Sequence, residues 1–275
     1  MASIHSYQRL KMHTVNLRTL PVLAVLLAFG ACGGDVPPLA PATTEADNIL
    51  FERGMESLAE EDWERAREYF VLIRDNYPQS ELRAESRLRV VETFEGEGGE
   101  ISAAAALAEL REFQRLYPPN HELGADAQFK VAMVYYGQMR RPERDQSQTR
   151  FAVSELELFI TRYSETAEVE MLDEVRALLR EARDRLSESS FLVGRFYYRN
   201  NFYNGAIDRF QSILEDDPGY TNKDVIYYHL ADCFIELDRP DEALPLYQQL
   251  ISEFPDTEYL AEANERISEL SQQSQ

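Results

Sequence analysis

The segment "FLVGRFYYRNNFYNGAIDRFQSILEDDP", residues 191–218, decides the fold of this chain. It contains a small residue at Gly194, a second at Ala206, and bulky apolar residues such as Phe210 before a final Asp-Pro pair. The apolar positions after Ala206 recur every three or four residues, which places them on one face of a helix. The closing proline stops that helix. We therefore expect two short helices that approach closely where their small residues meet.

The same pattern recurs five times along the chain. Each copy ends at an equivalent residue, namely Tyr77, Tyr117, Tyr163, Asp217 and Phe254. Eleven positions earlier there is always an alanine: Ala66, Ala106, Ala152, Ala206 and Ala243. Seven positions earlier lie Phe70, Leu110, Leu156, Phe210 and Tyr247, and four positions earlier lie Ile73, Phe113, Phe159, Ile213 and Leu250. A small residue followed by two bulky ones on one helix face resembles the tetratricopeptide repeat (TPR), a helix-turn-helix unit that stacks into arrays.

The predicted fold is all-α: a TPR superhelix of about five repeats with a C-terminal capping helix. Residues 168–200 contain no internal proline and predict one long helix, whose apolar face is formed by Leu172, Val175, Leu179, Ala182, Leu186, Val193 and Tyr197. This helix is expected to join an N-terminal half with repeats 1–3, residues 45–167, to a C-terminal half with repeats 4 and 5, residues 168–275.

Three local features modify the repeats. The sequence "EGEGGE", residues 95–100, is expected to lengthen the turn of repeat 2, and "RRPERDQSQ", residues 140–148, to be an insertion in repeat 3. The segment from Asp256 onward predicts an amphipathic capping helix with an Asp/Thr N-cap.

The N-terminus is typical of an exported protein. Residues 1–31 carry only positive charges and end in an apolar run, which indicates a signal peptide. Small residues precede Cys32 as in a bacterial lipobox, so Cys32 is the expected lipidation site. Residues 32–44 contain Gly, Pro, Ala and Thr and predict a flexible linker. The alternative is an ordinary secretory signal with an unmodified thiol.

The charge of the chain excludes one class of partner. With 28 Lys and Arg against 49 Asp and Glu, the net charge is -21. Nucleic acid binding requires a basic surface, which this composition does not supply. An anionic bilayer also repels such a chain, so a covalent lipid is the more plausible attachment.

No catalytic or metal-binding motif stands out. His229 and Cys233 lie four residues apart on a predicted helix, but two ligands are too few for a zinc site, and Cys233 reads as a core thiol. Acidic runs predict solvated surface, and no phosphate loop or nucleophile-histidine pair is present. We expect a protein that is not an enzyme and that needs no metal or cofactor.

The aromatic segment "FLVGRFYYRNNFY", residues 191–203, is the strongest candidate for a binding surface. Tyr197 occupies a core position of the repeat. Tyr198, Arg199 and Phe202 cannot all be buried on the same face, and Arg and aromatic residues are typical anchors of protein interfaces. These three residues are predicted to contact a partner.

Three segments carry a family resemblance: "YFVLIRDNYPQS" (69–80), "RPERDQSQTRFAVSELELFITRYS" (141–164) and "ARDRLSESSFLVGRFYYRNNFYNGAIDRF" (182–210). Together with the repeat architecture they resemble the BamD family, the TPR lipoproteins of the machinery that assembles β-barrels into bacterial outer membranes. The chain departs from the family pattern at Ser164, where proline is usual, at Asp217, where an aromatic residue is usual, and at Gly205, where alanine is usual.

The resemblance implies a lipid-anchored protein on the periplasmic face of the outer membrane. Its C-terminal repeats would hold the periplasmic domains of the barrel-forming subunit, and its N-terminal repeats would recognise unfolded outer-membrane precursors; some bacteria add accessory lipoproteins. The family position of Arg209 faces the barrel-forming subunit, although Arg209 could instead pair with Asp208 or Asp216. The alternative is another envelope TPR scaffold of the Tol-Pal, division-linked type, which lacks the long helix.

Overall fold

A computed structural model describes residues 44–273, and this part of the chain forms eleven α-helices. They are α1 (Thr44–Ala59), α2 (Trp63–Asn76), α3 (Arg83–Glu97), α4 (Gly99–Leu116), α5 (Gly124–Tyr136), α6 (Ser147–Tyr163), α7 (Val169–Arg199), α8 (Tyr203–Asp216), α9 (Lys223–Glu236), α10 (Pro240–Glu253) and α11 (Leu260–Gln273). Each helix packs against the next one along the chain. The predicted all-α class is confirmed. The signal, Cys32 and almost all of the linker lie outside the described residues.

The predicted repeat core is confirmed. All five repeat alanines are fully buried, and the ten bulky positions after them are at most 3 % exposed. The close approach that the small residues allow is visible in two repeats: a Cβ atom on Gly54 would lie 2.7 Å from the Phe70 ring, and one on Gly194 would lie 2.5 Å from the Phe210 ring. In these two repeats, the second helix therefore places an aromatic ring directly against the backbone of the first.

The second helix of four repeats ends just before a proline. Tyr77, Tyr117, Asp217 and Phe254 are all C-cap residues outside the helical conformation. The residue before a proline disfavours the helical region, which explains these ends. In repeat 3 serine replaces the proline, and α6 continues through Tyr163 to a helical C-cap at Ser164.

Repeats 1, 4 and 5 also share the turn between their two helices. The turn contains one residue with positive φ, five positions before the repeat alanine: Glu61, Asn201 and Asp238, with φ between 58° and 61°. Asn and Asp tolerate this left-handed conformation better than most residues.

The long helix is confirmed, but its buried face differs from the predicted one. Helix α7 spans 31 residues, and its buried positions are Leu172, Val175, Leu179, Ala182, Ser187, Phe191 and Gly194. Leu186 is only half-buried, and Val193 is 41 % exposed. The buried face changes because the first half of α7 packs on α6, whereas the second half packs on α8 and α9.

Two other boundaries correct the sequence analysis. The segment 95–100 does not lengthen a turn: α3 runs to Glu97 and α4 begins at Gly99. Gly98 and Gly99 have φ of 71° and 86°, which allows this very short connection. The capping helix begins at Leu260 rather than near Asp256, and the Thr257 hydroxyl before it donates to Asp224 on α9 at 2.7 Å.

The insertion of repeat 3 is confirmed as a loop between α5 and α6, although Ser147 and Gln148 belong to α6. Buried Gln146 organises this loop, because its side-chain amide donates to the carbonyl oxygens of Arg141 and Arg144 at 2.8 and 2.9 Å. None of the helices in residues 44–273 combines the length and the apolar character that crossing a membrane requires.

Candidate functional site

Repeats 2 and 3 form a groove with a volume of about 1090 Å³. Helices α3 and α5, the first helices of the two repeats, form most of its walls, and the start of α4 closes one side. Its apolar floor is formed by Leu88, Ala103, Leu123, Phe129, Met133 and Val134. We call this surface the repeat 2–3 groove. A groove of this volume has room for several side chains of a polypeptide.

Charged side chains line the rim of the repeat 2–3 groove. Arg89 pairs with Glu85 and Glu92 at 2.8 and 2.9 Å, and Lys130 pairs with Glu92 and Glu95 at 3.3 and 3.1 Å. Lys130 on α5 thereby links the second wall of the groove to two carboxylates of α3. The arrangement suits an apolar segment whose flanking groups can hydrogen-bond to a charged rim.

Tyr198, one of the predicted partner-binding residues, is half-buried and already engaged. Its hydroxyl donates to Asp232 Oδ2 at 3.0 Å, and its ring stacks on His229 with the centroids 5.2 Å apart. Burial, followed by the negative charge of Asp232, raises the pKa of Tyr198. Asp232 also accepts a hydrogen bond of 2.6 Å from Tyr247. Tyr198 is therefore only partly accessible to a partner.

The three other predicted residues are exposed. Phe202, which precedes α8, is 63 % exposed, and Arg199 lies in the last turn of α7. Arg209 is exposed on α8. Within residues 44–273 neither Arg199 nor Arg209 forms an ion pair, so Arg209 does not pair with Asp208 or Asp216.

The sequence analysis missed part of this exposed surface. Leu192, Arg195, Phe196, Arg199 and Asn200 line a shallow depression of about 440 Å³ on α7. Phe196 is 62 % exposed. The spacing of these positions, three and four residues apart on a helix face beside that of Phe191 and Gly194, was a signal that could have identified them.

His229 lies at the centre of an aromatic cluster in the C-terminal repeats. Its ring stacks on Phe191 and Phe210, with centroids 5.5 and 6.0 Å away, and it also contacts Tyr198 and Tyr259. Its Nδ1 atom is buried without a hydrogen-bond partner in the described part of the chain. Burial lowers the pKa of His229 and outweighs the opposite effect of Asp232.

This histidine makes the stability of the C-terminal repeats depend on pH. The folded pKa of His229 lies below the unfolded value of about 6.5, so the unfolded chain takes up the proton first as the pH falls. The stabilisation from neutral His229 is complete above that value and is lost as the pH falls through the folded pKa. As the pH falls from about 7 to 5, we expect the free energy of unfolding of the unchanged protein to decrease by on the order of 1 kcal/mol more than that of the His229→Phe variant. The reason is that phenylalanine cannot titrate. Urea titrations of both proteins between pH values of about 7 and 5 measure the difference. Parallel pH profiles for the two proteins would contradict this prediction.

Cys233 is a core thiol, as predicted. It is fully buried and free, and burial raises its pKa to about 12, which removes its nucleophilic character near neutral pH. Among residues 44–273 no three His, Cys, Asp or Glu side chains are placed to share a metal ion.

Stacked helix pairs with a buried alanine at one repeated position define the class of this protein: it is a TPR protein. A family model for outer membrane lipoproteins, YfiO, matches residues 43–232, and a tetratricopeptide repeat model matches residues 199–266. The chain belongs to the YfiO family of outer membrane lipoproteins.

Two relatives align with most of the chain. The outer membrane protein assembly factor BamD of Caulobacter vibrioides is 24 % identical over 226 residues, which cover 82 % of this chain and 72 % of the relative. The protein of the same name from Rickettsia prowazekii is 23 % identical over 251 residues, covering 88 % and 93 %. Among solved structures, the TPR2AB domain of yeast Sti1 aligns with a TM-score of 0.46 and 11 % identity, over 83 % of this chain and 84 % of that one.

Proposed function

We propose that this protein is a non-enzymatic scaffold of outer-membrane β-barrel assembly, anchored to the periplasmic face of the outer membrane by lipid on Cys32. Membership of the YfiO family and the two assembly-factor relatives support a role in outer-membrane protein assembly and a location at the outer membrane. The lipid on Cys32 fits the family description. The 31-residue α7 and the family favour this function over the division-linked alternative.

The two halves of the array have different tasks in this proposal. Repeats 1–3, residues 45–167, receive unfolded outer-membrane precursors, and residues 168–275 hold the periplasmic domains of the barrel-forming subunit. Arg199, Phe202 and Arg209 contribute to the second contact, with a smaller share from Tyr198. Accessory lipoproteins are compatible with this arrangement.

The repeat 2–3 groove is the observation that carries the proposal. A strand of a membrane barrel alternates lipid-facing apolar side chains with polar ones. The floor of the groove can accept the apolar side chains of such a strand, and the charged rim can bind its backbone and polar groups. The side chains of the groove can act by burial and hydrogen bonding without any chemical step.

A charge placed on the groove floor tests the proposal. Met133 is half-buried in the floor, so Met133→Glu puts a carboxylate where an apolar side chain must bind. We expect the affinity for a fluorescent peptide that copies one strand of an outer-membrane barrel to fall at least about 10-fold, or 1.4 kcal/mol. Fluorescence anisotropy measures the binding.

Val169→Glu is the matched control, because it introduces the same charge at a residue that is 66 % exposed and does not line the groove. It should bind the peptide like the unchanged protein, and both variants should melt within about 2 °C of it. If Met133→Glu and the unchanged protein bound the peptide equally well, the groove would not be the site that binds barrel precursors.

A further inference from the structure

Acidic side chains predominate in the lining of the repeat 2–3 groove. The lining contains six Asp or Glu residues but only three Lys or Arg residues, which are Arg89, Lys130 and Arg140. All three are already paired with carboxylates of the same lining: Arg89 and Lys130 with glutamates of α3, and Arg140 with Glu100 at 3.5 Å. Among the described residues, the groove therefore offers a ligand carboxylates rather than unpaired cations.

Asp126 is a carboxylate of this lining that lacks a cation although a lysine follows on its own helix. Lys130 lies one turn later on α5, at the spacing at which Asp and Lys commonly pair. The Lys130 ammonium instead lies 3.3 Å from Glu92 and 3.1 Å from Glu95, so it neutralises carboxylates of α3. Half-buried Asp126 forms no ion pair within residues 44–273. It therefore presents an uncompensated negative charge in the groove.

A second polar group of the lining also lacks a partner. Gln148, in the first turn of α6, lines the groove, and its side-chain oxygen is buried without a hydrogen-bond donor in the described part of the chain. A buried acceptor without a donor is unfavourable, and a ligand that supplies an N–H group removes this penalty. Lys and Arg side chains carry several donors and no acceptor. Asp126 and Gln148 therefore favour the same kind of ligand group, a cationic donor.

We propose that the repeat 2–3 groove selects precursor segments that carry Lys or Arg beside their apolar residues, and that Asp126 determines this preference. The occupant is a strand of an unfolded outer-membrane barrel protein, so this inference rests on the proposed function and adds a charge requirement to it. Alternate residues of such a strand face the polar barrel lumen, and these positions can hold Lys or Arg without interrupting the apolar face.

The two kinds of side chain then bind to different parts of the groove. The apolar side chains of the strand pack on the floor, and its long cationic side chains reach the carboxylates of the rim. A strand with Asp or Glu at the same positions meets like charges, which lowers its affinity. The groove thereby distinguishes between strands of equal apolar content.

Three versions of one strand peptide test the charge requirement. They share the same alternating apolar residues and differ at the polar positions, which are Lys in the first peptide, Ser in the second and Glu in the third. We expect the unchanged protein to bind the Lys peptide at least about 10-fold more tightly than the Glu peptide, with the Ser peptide between them. Fluorescence anisotropy measures the affinities. The advantage of the Lys peptide over the Ser peptide should shrink as NaCl is raised from about 50 to 300 mM.

Asp126→Asn removes the charge and keeps the size of the side chain. The preference for the Lys peptide over the Glu peptide should fall at least about threefold, while the affinity for the Ser peptide stays within about twofold. Asp241→Asn is the matched control, because Asp241 also lies in the first turn of its helix, but it is exposed on α10 and does not line the groove. This variant should keep the preference of the unchanged protein.

Two results would overturn the inference. One is equal binding of the Lys and Glu peptides by the unchanged protein. The other is the same preference for Lys in Asp126→Asn and Asp241→Asn, which would assign the preference to the net charge of -21 of the whole chain. The Ser peptide judges the proposed function separately, since its binding should fall in Met133→Glu whatever the preference between the charged peptides.

Discussion

Asp217→Ala is expected to lower the free energy of unfolding of the C-terminal repeats by about 3 kcal/mol. The Asp217 carboxylate is 8 % exposed, accepts a hydrogen bond of 2.9 Å from Arg180 Nη1 and a second from Nη2, and accepts one of 2.8 Å from Ser187. Burial alone raises the pKa of Asp217, but the hydrogen bonds from Arg180 and Ser187 outweigh it and hold the pKa below its usual value. Removing the carboxylate leaves the Arg180 guanidinium with Asp184 as its remaining acidic partner, at 3.0 Å, and leaves the buried Ser187 hydroxyl without its acceptor.

The control for this substitution is Asp173→Ala, which breaks an ion pair with Arg176 in which both side chains are more than half exposed. It should cost less than about 0.5 kcal/mol. A double variant, Arg180→Met with Asp217→Leu, should recover part of the stability lost in Asp217→Ala, because it replaces both charges by apolar groups while Asp184, the other partner of Arg180, keeps its hydrogen bonds from Thr221. Hydrogen exchange of the α7–α9 amides measures the loss locally, since repeat arrays open in parts. Equal losses for Asp217→Ala and Asp173→Ala would contradict the prediction.

The repeat pattern made most of this fold predictable. Only a small residue fits at a close helix contact, so five alanines at one register position predicted five helix pairs and their core. Prolines predicted four of the five helix ends for a local steric reason. Both signals depend on residues close together in sequence, which is why they are readable without the structure.

The register of α7 was not predictable in the same way. One apolar stripe was expected from Leu172 to Tyr197, but the buried face shifts at Ser187. A serine enters the core there because its hydroxyl donates to Asp217, which is 30 residues later in the chain. Apolar periodicity cannot report a buried polar contact of this kind.

The candidate sites depend even more on distant residues. The repeat 2–3 groove combines Leu88 on α3 with Met133 on α5, whose proximity follows from how the repeats stack. Arg199 and Phe202 were predictable as exposed residues because their segment holds more aromatic residues than one face can bury. Tyr198 was the exception, since its partners Asp232 and His229 come from the next repeat.

Two glycine-to-alanine substitutions in repeat 4, one on each of its helices, should have opposite effects on the free energy of unfolding. Gly194→Ala is expected to destabilise the C-terminal repeats by about 2 kcal/mol, because the new methyl group would lie 2.5 Å from the Phe210 ring. That ring is fully buried and stacks against Phe191 and His229, so it has no space into which it can move. This overpacking exceeds the gain of about 1 kcal/mol that alanine brings to a helix interior.

Gly205→Ala is the matched control on α8 and should stabilise the protein by about 0.5 kcal/mol. A Cβ atom there would lie 3.7 Å from the Tyr197 ring, an ordinary contact, so the substitution only restricts the unfolded chain and favours the helix. Urea unfolding followed by circular dichroism should separate the two variants by about 2.5 kcal/mol, with the unchanged protein between them. If Gly194→Ala were as stable as Gly205→Ala, the contact between the α7 backbone and Phe210 could not be what fixes the spacing of this helix pair.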